Sequence, residues 1–453
     1  CSLSHCLFRF ASTACAVYLP AMHTATVKER RQLGQARRKL LGRQQHDELN
    51  VKTRPASAIQ LLARAMKGRV PALVARRWQL MAASPFAYFR GAVPVMAADL
   101  AMHRATGLIA QLCGDAHVRN LGAFAAPDGR LVFDINDFDE TIRGPFEWDL
   151  KRMAASLVLA GREAGHKDAS ARHAAEICMT RYCALMKILA DLPVLEAARY
   201  QVHRLASTGP VHEALTKAER STAGHTLEQL TETAASGRRF RSGTSTLERV
   251  TGRSAAQVLA ALEHYKARLD PAHRHLLSFY RPIDVAFKVV GTGSVGLRDY
   301  CIYLEGNGDY DPLFLQMKEE ADSAWAPWLP DAHPPAHNGQ RVVEGQRALQ
   351  TLSDTFLGWT QIGTRHFLVR LLNDHKGSIA IEDLADGNLD AYAEVCGELL
   401  ARGHARSSDA VLLAGYLGSG DGFAEAIAKF GQLYADQTEK DWQDLKRSGK
   451  AKR

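Results

Sequence analysis

Residues Cys113 to Glu140 read C-G-D-A-H-V-R-N-L-G-A-F-A-A-P-D-G-R-L-V-F-D-I-N-D-F-D-E. A polar loop runs into an apolar stretch, a Pro127-Asp128-Gly129 turn and a second apolar stretch, which predicts a β-hairpin. Such a hairpin holds Asp115, His117 and Asn120 at its mouth and delivers Asp137 and Asp139 just after the returning strand. Acids crowded together with an amide repel one another unless a cation sits among them. An oxygen-rich set of this kind suits Mg²⁺, with phosphate oxygens completing its shell. The plainer reading is a polar turn whose Asp and Asn side chains bond nearby main-chain N–H groups.

The order of the groups favours the first reading. Asp115, then Asn120, then a hairpin, then Asp137 resembles the layout of kinase-type phosphotransferases. The stretch is similar to the aminoglycoside phosphotransferase and choline kinase branch, which carries G-D-x-H-x-x-N and later I-D-F-x-D. This chain has G-D-A-H-V-R-N and I-N-D-F-D, and Asp149-Leu150 of G-P-F-E-W-D-L matches the Asp-Leu pair that follows in that branch. Cys113 departs from the pattern, standing where the branch has His before Gly-Asp. The resemblance implies that Asp115 orients a substrate hydroxyl or accepts its proton. It implies Asn120 and Asp137 as Mg²⁺ ligands, Asp139 as a supporting or second-metal group, and Asp149 as a brace of the loop backbone. His117 would steady the loop, in a structural or a chemical role. Asp134 and Asn136 leave open which acid takes the metal, although Asp137 fits the I-D-F register best.

A second motif lies far down the chain. Gly291, Gly293, Ser294 and Gly296 sit between two β-like runs, I-D-V-A-F-K-V-V and L-R-D-Y-C-I-Y-L-E. A dinucleotide fingerprint must open a helix, so this loop is not one. It suits a loop folded over nucleotide phosphates, where missing side chains allow close backbone approach. The next run, P-L-F-L-Q-M-K-E-E, ends near Lys318, placed as the kinase lysine that meets phosphate oxygens. Helical spacing from Gly339 to Asp354 offers Glu344 as its ion-pair partner. Together these resemble a kinase small lobe with a hinge near Leu372 to Asp374. The two motifs stand in inverted order, which implies a circular permutation cut before the Asp115 loop, with a new link near 280–284; such rearrangement is tolerated where chain ends are superficial and close.

The expected fold is therefore α+β and two-lobed, a circularly permuted protein-kinase-like fold. A basic segment over 1–55, partly disordered or helical, precedes a helical large lobe at 56–280. A small antiparallel-sheet lobe over 281–373 and packing helices over 374–453 follow. The chain from about residue 30 is also similar to the bacterial family named domain of unknown function 2252. S-P-F-A-Y-F-R-G, C-G-D-A-H-V-R-N, D-I-N-D-F-D-E, V-G-T-G-S-V-G and L-Q-M-K-E carry that likeness. The family name supplies no activity.

With 453 residues the chain is long enough for two lobes with full cores, and its 46% hydrophobic and 23% charged content is that of a globular protein. Residues 1–77 hold 15 Lys/Arg against 3 Asp/Glu, so the net +8 comes from this segment and the remainder carries −4. A solvated helical face explains such a segment, as does contact with nucleic acid, phospholipid or an acidic partner. No aromatics interleave with the charges, which argues against a base-stacking surface. The 8 cysteines match no zinc-ligand spacing and suit buried thiols in a reducing cytoplasm. Residues 7–21 are apolar but too short to span a bilayer; they allow a weak secretory signal or upstream read-through before a start at Met22.

Helices are expected at Thr26–Leu49, 57–67, 71–82, from Pro94 to near Gly107, at 147–163, 168–190, 192–205, 253–268 and 271–280, and again from Leu389 onward. Gly237 to Gly243 reads as a solvated basic loop. Arg90, at the end of an aromatic patch, either joins the core or reaches a phosphate or an acidic site residue. The expected activity is ATP- and Mg²⁺-dependent transfer of a phosphoryl group to an unidentified hydroxyl, in a protein with no transmembrane segment. Its rivals are adenylyl transfer, a non-catalytic nucleotide-binding protein, and a metal-dependent phosphoesterase using Asp115, His117 and Asp137.

Overall fold

The computed structural model describes residues 25–202, 208–235, 237–243, 246–289, 295–308, 310–372 and 376–452. Two bodies share the chain, and both mix helices with antiparallel sheet. The first is built on the helix Glu147–Glu163, which is buried from Glu147 through Gly161. A helix apolar around most of its circumference must be covered on all sides. Here Asp168–Asp191, Asn388–Ser407, Ala410–Leu417 and Asp421–Arg447 supply the cover. Leu150, Met153, Leu157, Tyr182, Leu399 and Phe430 interlock in the resulting core.

The hairpin forms where expected. Leu121–Ala125 pairs with Leu131–Ile135 in the register Leu121↔Ile135 and Ala123↔Phe133, and Gly377–Ser378 adds a third strand. The short strand Ile109–Leu112 pairs with Ile142–Pro145, so the acidic loops on either side of the hairpin begin and end on neighbouring strands.

The second body is a six-stranded antiparallel sheet in the order Gly358–Ile362, Arg365–Leu371, Pro312–Glu320, Asp299–Glu305, Arg281–Lys288, Leu247–Val250. Side chains alternate across a strand. Leu315 and Met317 meet one core, whereas Phe314 joins another on the opposite face, the face to which Gln316, Lys318 and Glu320 belong by alternation. The helix Asn338–Leu349 joins the bodies: Val342, Val343 and Leu349 are buried in the first core.

Several expectations change. The sheet body starts before residue 281, since Leu247–Val250 is its edge strand and Gly252–Arg268 packs Val258, Leu262 and Tyr265 beneath it. Gly237–Phe240 is not a solvated loop: it pairs with Thr231–Ala234, and Phe240 is buried against Tyr303 and Phe314. The helix beginning at Pro94's turn ends at Ala101, and the one expected to reach Asp354 ends at Leu349.

The basic helix stops at Ala36 rather than Leu49. Several cations of this segment reach the C-terminal helices. Arg38 donates to the carbonyls of Tyr416 and Gly415, Arg43 to that of Leu417, and Arg30 pairs with Asp409 at 3.0 Å. Arg54 joins Asp99 at 2.7 Å and Asp441 at 2.9 Å. Part of the positive charge of this segment is thus tied to the C-terminal helices. The five described cysteines, Cys113, Cys178, Cys183, Cys301 and Cys396, are buried thiols.

Candidate functional site

The loop at Cys113–Asn120 is shaped by its backbone partners. Gly114 has φ +82°, and a Cβ there would lie 2.1 Å from the Glu140 carbonyl oxygen, so only glycine fits. Asp149, at the start of the central helix, accepts from the N–H groups of Cys113 at 2.8 Å and Gly114 at 3.0 Å. The Trp325 indole, from the loop after the Lys318 strand, donates to the Gly114 carbonyl at 2.7 Å. Asn120 donates through Nδ2 to the Asp115 carbonyl at 2.9 Å. His117 is buried, its Nε2 3.7 Å from Asp115, and burial together with Arg90 and Arg152 pushes its pKa well down. A neutral histidine of this kind steadies the loop.

Asp115 meets Arg152, a fully buried guanidinium on the central helix, at 2.6 Å from Nε. Arg152 also donates to the Phe89 carbonyl at 3.1 Å and lies 4.2 Å over the Phe89 ring. Burial pushes the Asp115 carboxyl up, and Arg152 offsets only part of that rise.

Lys318 comes from the other body, 179 positions along the chain from Asp139, yet its Nζ lies 2.6 and 2.5 Å from the two Asp139 oxygens and 3.9 Å from Asp137. Burial alone would discharge the ammonium, but Asp139 and Asp137 hold it protonated, with its pKa raised. The same contact holds Asp139 below the usual carboxylate range in spite of burial, while burial and the Asp139 charge raise Asp137.

Asp134 is not at this site. It is buried against Arg402, whereas Asp137 lines the cavity. Asn136 lines a second cavity. Glu344 also requires correction: it is exposed on its helix and accepts from Gln340 at 2.7 Å. Three positions away on the same helix, Arg341 turns inward and donates to the carbonyls of Asp139, Thr141 and Ala321. Gly291, Gly293 and Ser294 lie outside the described residues, as do Asn373 and Asp374 of the expected hinge. Gly296 is described, with φ +94°, and its carbonyl accepts from Val70 N–H at 2.7 Å.

Two cavities flank the acids. The larger, about 640 Å³, is lined by Asp115, His117, Asn120, Asp137, Asp139 and Glu320, together with a basic wall from the first helices. The smaller, about 210 Å³, is lined by Phe124, Asn136, Asp354, Arg370, Leu371 and Lys376. Arg90, Asn120 and Asp137 border both. Arg90 therefore stands at the site rather than in plain core.

Residues 69–448 match the family described as "Uncharacterized protein conserved in bacteria (DUF2252)". The chain belongs to the DUF2252 family. No curated protein and no solved structure matches it. Among the described residues of this DUF2252 protein, no helix is long and apolar enough to cross a membrane.

Sequence reading missed Arg152 and Glu320. Arg152 opens the mainly apolar run up to Gly161 on its helix, where a buried cation must find a partner. Glu320 follows Lys318 by two positions, which puts both on one strand face. Burial and the Asp139 charge raise its pKa well above the ordinary range, and its Oε1 is buried with no hydrogen-bond partner among the described residues.

Among the described residues no three His, Cys, Asp or Glu side chains close tightly enough to hold a metal unaided. Asn120, Asp137 and the orphaned Glu320 oxygen line one cavity, a donor set of the kind Mg²⁺ shares with phosphate oxygens and water.

Proposed function

We propose that this DUF2252 protein is a Mg²⁺-dependent phosphotransferase that moves the γ-phosphoryl group of ATP to a hydroxyl compound, on a circularly permuted kinase-like fold. The observation that carries the reading is the meeting of Lys318 with Asp139 and Asp137 beside Asp115 and Asn120. A glycine-loop exit, a strand lysine and a following helix arrive in the order kinases use, although the helix supplies Arg341 in place of a glutamate for the lysine.

In this reading Asn120 and Asp137 hold the metal, which would neutralise phosphate charge. Lys318 releases Asp139 to meet phosphate oxygens, an exchange of one anionic partner for another. Asp115, oriented by Arg152, accepts the acceptor's hydroxyl proton. The acceptor oxygen bonds to the γ-phosphorus, the bond from that phosphorus to the β–γ bridging oxygen breaks, and ADP leaves with the electron pair. The smaller cavity takes the donor's base side and the larger takes the acceptor, because both open on Asn120 and Asp137.

Titration calorimetry of ATP with Mg²⁺ tests this. The parent binds, and Asp137→Asn and Lys318→Ala each weaken binding tenfold or more. Equal affinity in all three proteins overturns it.

A further inference from the structure

The larger cavity is lined by bases as well as acids. Beside the acids stand Arg64, Lys67, Arg69, Arg77 and Arg90, all from the turns and helices of residues 58–91. Arg69 is already engaged: it donates to the carbonyls of Ala65 at 3.2 Å and Val295 at 2.6 Å. Arg77 is buried, with one donor 3.2 Å from the Gly91 carbonyl. Burial and the neighbouring Arg69 lower its pKa to about 9, against the opposing pull of Glu140 and Asp115. Arg64 and Lys67 stand exposed at the rim.

We infer that the acceptor is a small alcohol that already carries a phosphate monoester, received by Arg64, Lys67, Arg77 and Arg90 while its hydroxyl faces Asp115. Several guanidinium and ammonium groups on one wall match a dianion better than a single carboxylate. A volume of about 640 Å³ is that of a small-molecule site. The donor's own phosphates have other partners in that reading, Lys318 and the metal pair. This inference rests on the phosphotransferase reading for its direction of transfer, but the anion site is testable by itself.

The test is calorimetric titration of inorganic phosphate, and of glycerol 3-phosphate against glycerol, into the full chain. Each titration is run with and without Mg²⁺ and a non-hydrolysable ATP analogue. The expected result is saturable phosphate binding that persists with nucleotide bound. Glycerol 3-phosphate should bind at least tenfold tighter than glycerol, and Arg64→Ser/Lys67→Ser should weaken both phosphates tenfold or more. Those two side chains are exposed, so the variant should melt as the parent does. No saturable phosphate binding overturns the inference. So does phosphate binding that the nucleotide analogue abolishes, because the basic wall then serves the donor. If the nucleotide fails to bind while phosphate binds through Arg64 and Lys67, the anion site stands and the phosphotransferase reading falls.

Discussion

Asp115 and Asp139 face one cavity, and each is held by a buried cation, yet the two pairs are built differently. Arg152 reaches Asp115 from the same body, and its other donors and its ring contact are taken by Phe89 and Met96. Lys318 reaches Asp139 from the other body, and the groups that hold its charge are acids. The first pair is a brace whose geometry is over-determined. The second joins the bodies through one ammonium, whose partners Asp139 and Asp137 both line the larger cavity. One site thus keeps a carboxylate braced within its own body beside one held from the other.

Breaking the brace should have the largest effect. Arg152→Met leaves Asp115 buried without its cation and should cost about 3–5 kcal/mol, read from urea unfolding. A loss below about 1 kcal/mol would show that the pair is no more fixed than Lys318–Asp139.

Lys151, the preceding residue on the helix, sharpens the contrast because Glu147, the acid that acts on it most, gives its oxygens to Thr106 at 2.7 and 2.8 Å. Burial lowers the Lys151 pKa to about 8. The unfolded chain then binds more protons than the folded one between about pH 8 and 10.5, so stability rises with pH across that window. The parent should gain roughly 3 kcal/mol there relative to Lys151→Met, measured by urea unfolding at each pH.

Lys318→Met should cost less, about 1–2 kcal/mol, because the Asp139 side chain is 23% exposed and water can take over its charge. Millimolar Mg²⁺ should then raise the melting temperature of this variant more than that of the parent, since Asp139, Asp137 and Glu320 lose the cation that acts on them. Glu344→Gln should change stability by less than about 0.5 kcal/mol and leave nucleotide affinity unaltered.

The hairpin was legible because turn residues and apolar alternation are local signals. Pro127-Asp128-Gly129 dictates its own geometry, and Leu121↔Ile135 follows from it. Lys318 was legible for a similar reason, as the polar end of an apolar strand. Its partner was not, because an ion pair spanning 179 positions is written in tertiary packing. Glu344 was placed by analogy, whereas the phase of its helix is set by Val342, Val343 and Leu349 entering the first core. The early stop at Ala36 has the same origin: Arg38 and Arg43 find carbonyls of a helix some 370 positions away, which no helical propensity can report.

Val70 and Arg69 hold the exit of the glycine loop through Gly296 and Val295, and the family match begins at residue 69. A shortened chain cut at that boundary would keep this strap while discarding the helix Ala58–Ala65 and with it Arg64 and Lys67. Fragments designed from the shared family core alone would therefore look complete at the loop and lack half of one cavity wall, and an inactive fragment would say nothing about the intact chain.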